Sequence, residues 1–222
     1  MTGVNLGQHV PPLSVTEWLQ GEAVNFENLL GRVVLLEVFQ VNCPGCFLYS
    51  LPQAIELYNR YAPQGLVVLG VATAFEDFDK NTLDNLKMLL QTGSVVGQTL
   101  KALTERGLLE NGHWPHRMPF PVAMDRLVEN QQPIGEAIVE QYIQDHFPHF
   151  YQQSAAEQQQ LKQRIFCYLQ QQKYTPQTFN RFALQGTPSH ILVDKQGRLR
   201  HSKFGFFPEL EMCIQQLLAE NA

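Results

Sequence analysis

Val33-Val34-Leu35-Leu36-Glu37-Val38-Phe39 runs through Gln40-Val41-Asn42 into Cys43-Pro44-Gly45-Cys46. The first seven residues, β-branched or apolar apart from one carboxylate, read as a strand buried on both faces, as in a parallel sheet. The cysteines stand where that strand gives way to a helix, because Leu51, Ala54, Ile55, Tyr58 and Tyr61 recur on one helical face until Pro63 and Gly65 stop it. A second apolar run, Leu66-Val67-Val68-Leu69-Gly70-Val71, completes a strand-helix-strand unit whose crossover is right-handed.

Outward from this unit, His190-Ile191-Leu192-Val193 and Arg198-Leu199-Arg200-His201 flank Asp194-Lys195-Gln196-Gly197, a hairpin signal with glycine in the turn. A last helix is expected from Pro208, with Leu210, Cys213, Ile214, Leu217 and Leu218 as its apolar stripe. In the middle, Thr82 caps a helix that stops at Gly93, a second helix carries Leu100 and Leu103 up to Gly107, and residues 120–124 read as a short strand, either at an edge or beginning after its prolines. Residues 134–147 and 155–172 read as helices. The 14 glutamines between Gln131 and Gln177 make a polar, uncharged surface, either plain solvated helix or an interaction face. The sum is an α/β fold, a central mixed sheet flanked by helices, with a mostly helical insertion at about residues 127–180 inside a single domain spanning residues 1–222.

Composition narrows the function. The chain has 222 residues with 44% hydrophobic and 17% charged side chains, ordinary for a globular domain, and 16 basic against 21 acidic residues with no basic run. Nucleic acid is therefore not an expected partner, since phosphate neutralisation needs clustered Lys and Arg. The longest mostly apolar stretch, residues 66–75, is about half of what spans a bilayer. The N-terminal residues show no basic region followed by an apolar one, which reads as a cytoplasmic protein. Four cysteines are too few for a disulfide scaffold, so their spacing carries the information.

A C-x-x-C beside a strand-helix-strand pattern reads as a redox pair. A thiolate at a helix N-terminus meets unpaired N–H groups and the positive end of the helix dipole, which lower its pKa, so Cys43 is the expected nucleophile. Pro44 suits the first helical position, Gly45 leaves Cys43 uncrowded, and Cys46, one turn in, is the expected resolving thiol. Three other readings compete. A structural zinc site wants four ligands, while Cys167 and Cys213 stand apart from one another and from any obvious His partner. Covalent haem needs His directly after the second cysteine, where Phe47 stands. Two inert core cysteines are a third possibility. Glu37, six residues before Cys43, breaks an otherwise apolar strand. It is either a buried acid that exchanges a proton with Cys46, directly or through water, or an exposed or Arg-paired carboxylate. Gly186-Thr187-Pro188-Ser189 is, by itself, only a turn before a strand.

Taken together, these pieces resemble the thioredoxin superfamily, in particular its TlpA-like and alkyl-hydroperoxide-reductase-like redoxin branch. The resemblance is carried by His9-Val10-Pro11-Pro12, Trp18-Leu19-Gln20-Gly21, residues 31–37 before the CPGC motif, Phe120-Pro121-Val122-Ala123-Met124-Asp125, and residues 186–197. It covers residues 7–75, 117–125 and 183–221. It implies that Pro188 is cis and packs over the two sulfurs, that the Thr187 backbone pairs with an extended substrate, and that Glu37 is the buried acid. Asn42 replaces the usual aromatic residue before the first cysteine and belongs to the expected substrate surface with Pro44 and Gly45; Pro52 is displaced by one position. The peroxiredoxin pattern is not met, because Leu36 and Gln40 stand where Pro and Thr or Ser would precede Cys43, and Phe39 and Cys43 where they would precede Cys46.

His113/His116 and His146/His149 are read as loop histidines, since a proline inside each pair opposes the helix that would make them converge. Cys213 is expected in the core and Cys167 off its helix's stripe. The expected function is a thiol-disulfide oxidoreductase needing no dissociable cofactor and no metal. Its expected partners are a disulfide-containing protein or small thiol and an upstream thiol reductant, with a homodimer through the insertion left open. The alternative is a redox-sensing binding protein of the same fold.

Overall fold

The computed structural model describes residues 3–130 and 134–221, so the N-terminal reading at Met1-Thr2 and the glutamines at 131 and 132 lie outside the described residues. Strands β1 (Val15–Gln20) and β2 (Val33–Phe39) precede helix α1 (Leu51–Tyr61), strand β3 (Leu66–Ala72) and helices α2 (Leu83–Thr92) and α3 (Gly97–Glu105). Strands β4 (Val122–Asp125) and β5 (Leu127–Glu129) lead to helices α4 (Glu136–His146) and α5 (Ala155–Gln171). Then come β6 (Tyr174–Pro176), α6 (Gln177–Arg181), β7 (Ser189–Val193), β8 (Leu199–Phe204) and α7 (Leu210–Ala219). The chain divides into two compact units, one of Met1–Leu127 with Pro176–Ala222 and the other of Val128–Thr175.

The first unit is built on a six-stranded sheet of order β1-β4-β3-β2-β7-β8. β2 pairs in parallel with β3 from Val33 opposite Leu66 to Phe39 opposite Ala72, and antiparallel with β7, which sets Glu37 opposite His190. All seven residues of β2 are buried. Alternation sends Val33, Leu35 and Phe39 to the layer of α1 and α7, where Leu51, Ala54, Leu57, Leu210, Ile214 and Leu217 meet them. Val34, Leu36 and Val38 pack on the other face with Phe26, Phe179 and Phe182.

The short strand of residues 120–124 begins after Pro121, as one of its two readings has it, but it is not an edge. β4 lies between β3 and β1, and β1, like the short β5 and β6, is a strand that the sequence left unread. β1 pairs antiparallel with β4 through two register shifts, so its residues never show the strict alternation that marks a half-buried strand. The last helix starts at Leu210 rather than Pro208. Thr82 caps α2 by accepting from the Asn85 N–H, and Gly93 closes it with φ of 78°.

The second unit has its own small core, Val139 and Ile143 of α4 with Phe150 and Ile165. α5 begins at a capping box in which the Ser154 hydroxyl and the Glu157 carboxylate each accept from the other's backbone. Among the described residues no helix is long and apolar enough to cross a membrane.

Candidate active site

At the end of β2 the chain turns through Gln40-Val41-Asn42 and enters a helix at Pro44, whose first turns widen to a π-helical stretch over Cys46–Ser50 before α1. Cys43 therefore occupies the cap position, and the N–H of Cys46 donates to its Sγ at 3.2 Å. This is a helix N-cap contact made to sulfur. Cys43 and Cys46 are joined in a disulfide with their Cα atoms 5.4 Å apart. Cys43 keeps 7% of its surface exposed and Cys46 none, so one sulfur lies at the rim and the other beneath it.

The segment before β7 comes to this turn. The Thr187–Pro188 peptide bond is cis, Ser189 Oγ donates to the Gly186 carbonyl at 2.7 Å, and the Gly205 N–H donates to the Pro188 carbonyl at 2.9 Å. A Cβ on Gly45 would lie 3.6 Å from Pro188 Cδ, so the proline ring sits in van der Waals range of the CPGC turn. Thr187 is half-buried beside it, and the Phe204 ring lies against Gly186, filling the space a side chain there would need. Phe204 and Phe206 are exposed next to this loop. On the other side of the CPGC helix, Phe47, Leu48, Leu103, Leu108, Trp114 and His116 line a recess of about 410 Å³.

Glu37 is fully buried. Its Oε2 lies 2.8 Å from Nδ1 of His190, itself buried, and the other imidazole nitrogen, Nε2, lies 3.0 Å from the Gly205 carbonyl. Among the described residues Oε1 has no hydrogen-bond partner. Burial works against the His190 imidazolium, but the Glu37 carboxylate and the hydrogen bonds to Glu37 and Gly205 outweigh it, lifting its pKa above the ordinary histidine range. Neither the exposed nor the Arg-paired alternative for Glu37 describes this site. Sequence reasoning missed His190. The available signal was a second polar residue inside an otherwise apolar strand, one step after Pro188-Ser189.

Asn42 is buried and both ends of its side-chain amide are hydrogen-bonded. Its Oδ1 accepts from the Gln98 N–H at 2.6 Å and its Nδ2 donates to Asp77 at 2.8 Å, while its own N–H donates to Asn81 Oδ1 at 2.8 Å. Val96, the residue at the start of α3, makes no side-chain cap, so Asn42 supplies that cap from across the fold. Gly97 permits it, with φ of 56° and no room for a Cβ, which would come 2.4 Å from Asn42 Oδ1. Of the four cysteines, Cys167 is free and exposed and Cys213 free and buried. Among the described residues no group of three or more His, Cys, Asp or Glu side chains is placed to hold a metal ion.

No family model matches the sequence. A curated relative, Protein FixW of Rhizobium leguminosarum, is 29% identical over 76 residues, which span 34% of this chain and 33% of that protein. The match thus covers about a third of the length of that relative. Among solved structures, a thiol-disulfide isomerase from Corynebacterium glutamicum is similar over 97% of this chain and 98% of its own, with TM-score 0.58 and 26% identity. A crystal structure of a thioredoxin-like superfamily protein is similar over 96% and 98%, with TM-score 0.58 and 25% identity. A thioredoxin-like protein solved in its oxidised form shares the fold, with TM-score 0.55, 19% identity and coverage of 99% and 100%. With Cys43 capping a helix and disulfide-bonded to the fully buried Cys46 on this sheet, the chain has a thioredoxin-like fold and is similar to a solved thiol-disulfide isomerase and a solved thioredoxin-like superfamily protein.

Proposed function

We propose that the protein reduces disulfides of a protein or small-thiol substrate, with Cys43 as nucleophile and Cys46 as resolving thiol, and is returned to the dithiol by an upstream thiol reductant. The observation that carries this reading is the 3.2 Å hydrogen bond from the Cys46 N–H to Cys43 Sγ at the start of a helix, an arrangement that stabilises sulfur as an anion. The Cys43 thiolate attacks one sulfur of the substrate disulfide; a mixed disulfide forms, and the other substrate sulfur leaves as thiolate and takes a proton. Cys46 then gives up its proton to Glu37, directly or through one water, and attacks Cys43 Sγ. The Cys43–Cys46 bond forms as the second substrate thiol departs, so two electrons and two protons pass from protein to substrate.

Thr187 and Pro188, Pro44 and Gly45 border the sulfur in this reading and receive the substrate backbone, and the exposed Phe204 and Phe206 favour a substrate with apolar residues near its disulfide. Asn42 holds the turn rather than the substrate. The TlpA-like branch is supported by the CPGC motif and by β4 inserted beside β3. A reducing, cytoplasmic setting is supported by Cys167, exposed and unpaired. The insertion supports a second reading, a binding module whose thiols sense redox state: Val128, Ile134, Ile138 and Leu169 line an apolar recess of about 640 Å³ within it.

A substrate-trapping experiment tests the first reading. Cys46→Ser should accumulate a mixed disulfide through Cys43, and Cys43→Ser should neither trap nor turn over a disulfide substrate. Turnover by Cys43→Ser at the wild-type rate would end the dithiol mechanism.

A further inference from the structure

The contact between Glu37 and His190 joins two polar side chains in a layer otherwise filled by Leu35, Phe39, Leu192, Phe207 and the helices above. Both residues lie on the face of the sheet that carries Cys43 and Cys46. In β2, Val33, Leu35 and Phe39 share that face, and in β7 Leu192 does. Hydrogen-bond chemistry fixes where the protons are. The Gly205 carbonyl, 3.0 Å from Nε2, can only accept, so Nε2 bears a hydrogen. The 2.8 Å contact between Nδ1 and Glu37 Oε2 then holds one further proton, shared by a nitrogen and a carboxylate oxygen. Oε1 is left as a buried oxygen with lone pairs and no partner among the described residues, an arrangement that is costly unless something is delivered to it.

We propose that His190 is a positioning residue for the resolving step, holding Glu37 by Oε2 so that Oε1 is presented as the acceptor for the Cys46 proton and the imidazolium balances the thiolate that results. The inference rests on the oxidoreductase reading. In that step the Cys46 S–H bond breaks and the proton moves to Oε1; Cys46 sulfur bonds to Cys43 Sγ, and the bond from Cys43 to the substrate breaks. With His190 in place the reacting layer goes from a carboxylate and an imidazolium to a carboxylic acid, an imidazolium and a thiolate, so it stays neutral throughout. Without it, the same proton transfer leaves a buried negative charge with nothing opposite. Few other charges can substitute. Across from His190 on β8 is Lys203, which is exposed, with His201 further along. α7 contributes the buried Cys213 and α1 the tyrosines 58 and 61 to the layer. β3 sets Gly70 opposite Glu37.

The test is a single turnover of the reduced protein with an aromatic disulfide whose thiolate is coloured. The first equivalent released reports attack by Cys43 and the second reports resolution by Cys46. The second phase of His190→Gln, which keeps a donor toward Glu37 but no charge, should have its pH profile moved up by about one to two units and its rate at pH 7 lowered at least about tenfold. Its first phase should be unchanged. Glu37→Gln should slow the same phase, and in the double variant the two losses should not add. Wild-type protein lacking either phase would refute the oxidoreductase reading itself. Two normal phases with a wild-type pH profile in a folded His190→Gln protein would overturn the role of His190 alone. Nitrogen-15 NMR of the wild-type histidine gives a check that needs no variant: Nε2 must be protonated throughout the titration of Cys46, and a bare Nε2 would overturn the proposal.

Discussion

Replacing Asn42 by alanine separates two roles for the residue before the nucleophile. The side chain makes two bonds that alanine cannot, one from the Gln98 N–H at the start of α3 and one to Asp77. Losing a helix cap costs about 1 kcal/mol, and here no local residue takes its place, because Val96 has no oxygen to offer. The bond to Asp77 reaches an exposed carboxylate that water re-solvates, so it adds about 0.5 kcal/mol. The cap figure already contains the freed Gln98 N–H, which belongs to an exposed residue, so the total is about 1.5 kcal/mol. For a chain of this length that lowers the melting temperature by about 3–6 °C. The assay is a thermal melt of the oxidised protein beside the kinetics of reduction of a disulfide substrate. A cap that holds the CPGC turn should give the melting shift together with a fall in kcat/KM. Wild-type stability with a change confined to KM would refute this reasoning and return Asn42 to the substrate surface.

Other substitutions probe the same framework. Gly97→Ala should cost about 2 kcal/mol or more, read in a urea melt, since it must leave φ of 56° or push Asn42 aside. Asp125 is buried and accepts from Thr73 Oγ1, the Thr178 N–H and the Phe179 N–H; burial, outweighing those bonds, raises its pKa above the usual aspartate range. A raised folded-state value means that its contribution to stability is full below the unfolded pKa and is lost as the pH rises through the folded one. The stability of the wild type relative to Asp125→Asn should therefore shrink as urea melts are moved up from about pH 4, and a growing difference would contradict the sign. Cys167 should alkylate in the folded protein, whereas Cys213, buried and with its thiol pKa pushed up first by that burial and then by Glu209, should react only on unfolding; equal rates would show that the last helix opens readily.

What the sequence disclosed was whatever is written in consecutive residues. The run of residues 33–39, apolar but for Glu37, reads as a strand buried on both sides, and Thr82 with Gly93, or Asp194 through Gly197, mark their own element ends. The cysteine pair was legible for the same reason, since its chemistry follows from the turn it sits on. What stayed hidden depends on pairings between distant segments. His190 faces Glu37 only because β7 runs antiparallel beside β2 in one register, and a shift of β7 by one residue would have sent His190 to the other layer, away from Glu37. Asn42 looked like a surface residue next to a reactive cysteine, because its partners come from residues 77–98.

The long excursion between β4 and α6 shows how such distant pairings let a fold carry an insertion without loss to its site. Asp125, the last residue of β4, caps α6 through the N–H groups of Thr178 and Phe179, and the Gln177 N–H donates to the Arg126 carbonyl at 2.9 Å. The chain therefore leaves and rejoins the first unit at one clasp, with both ends of the excursion bonded to each other rather than to the sheet interior. The same carboxylate binds Thr73, the residue that follows β3, so the clasp is tied to the strand beside β2. A segment attached this way can vary in length or content while β2, and with it the approach to Cys43, keeps its register. That is the physical reason the redox motif could be read from residues 33–46 without knowing what residues 128–175 do.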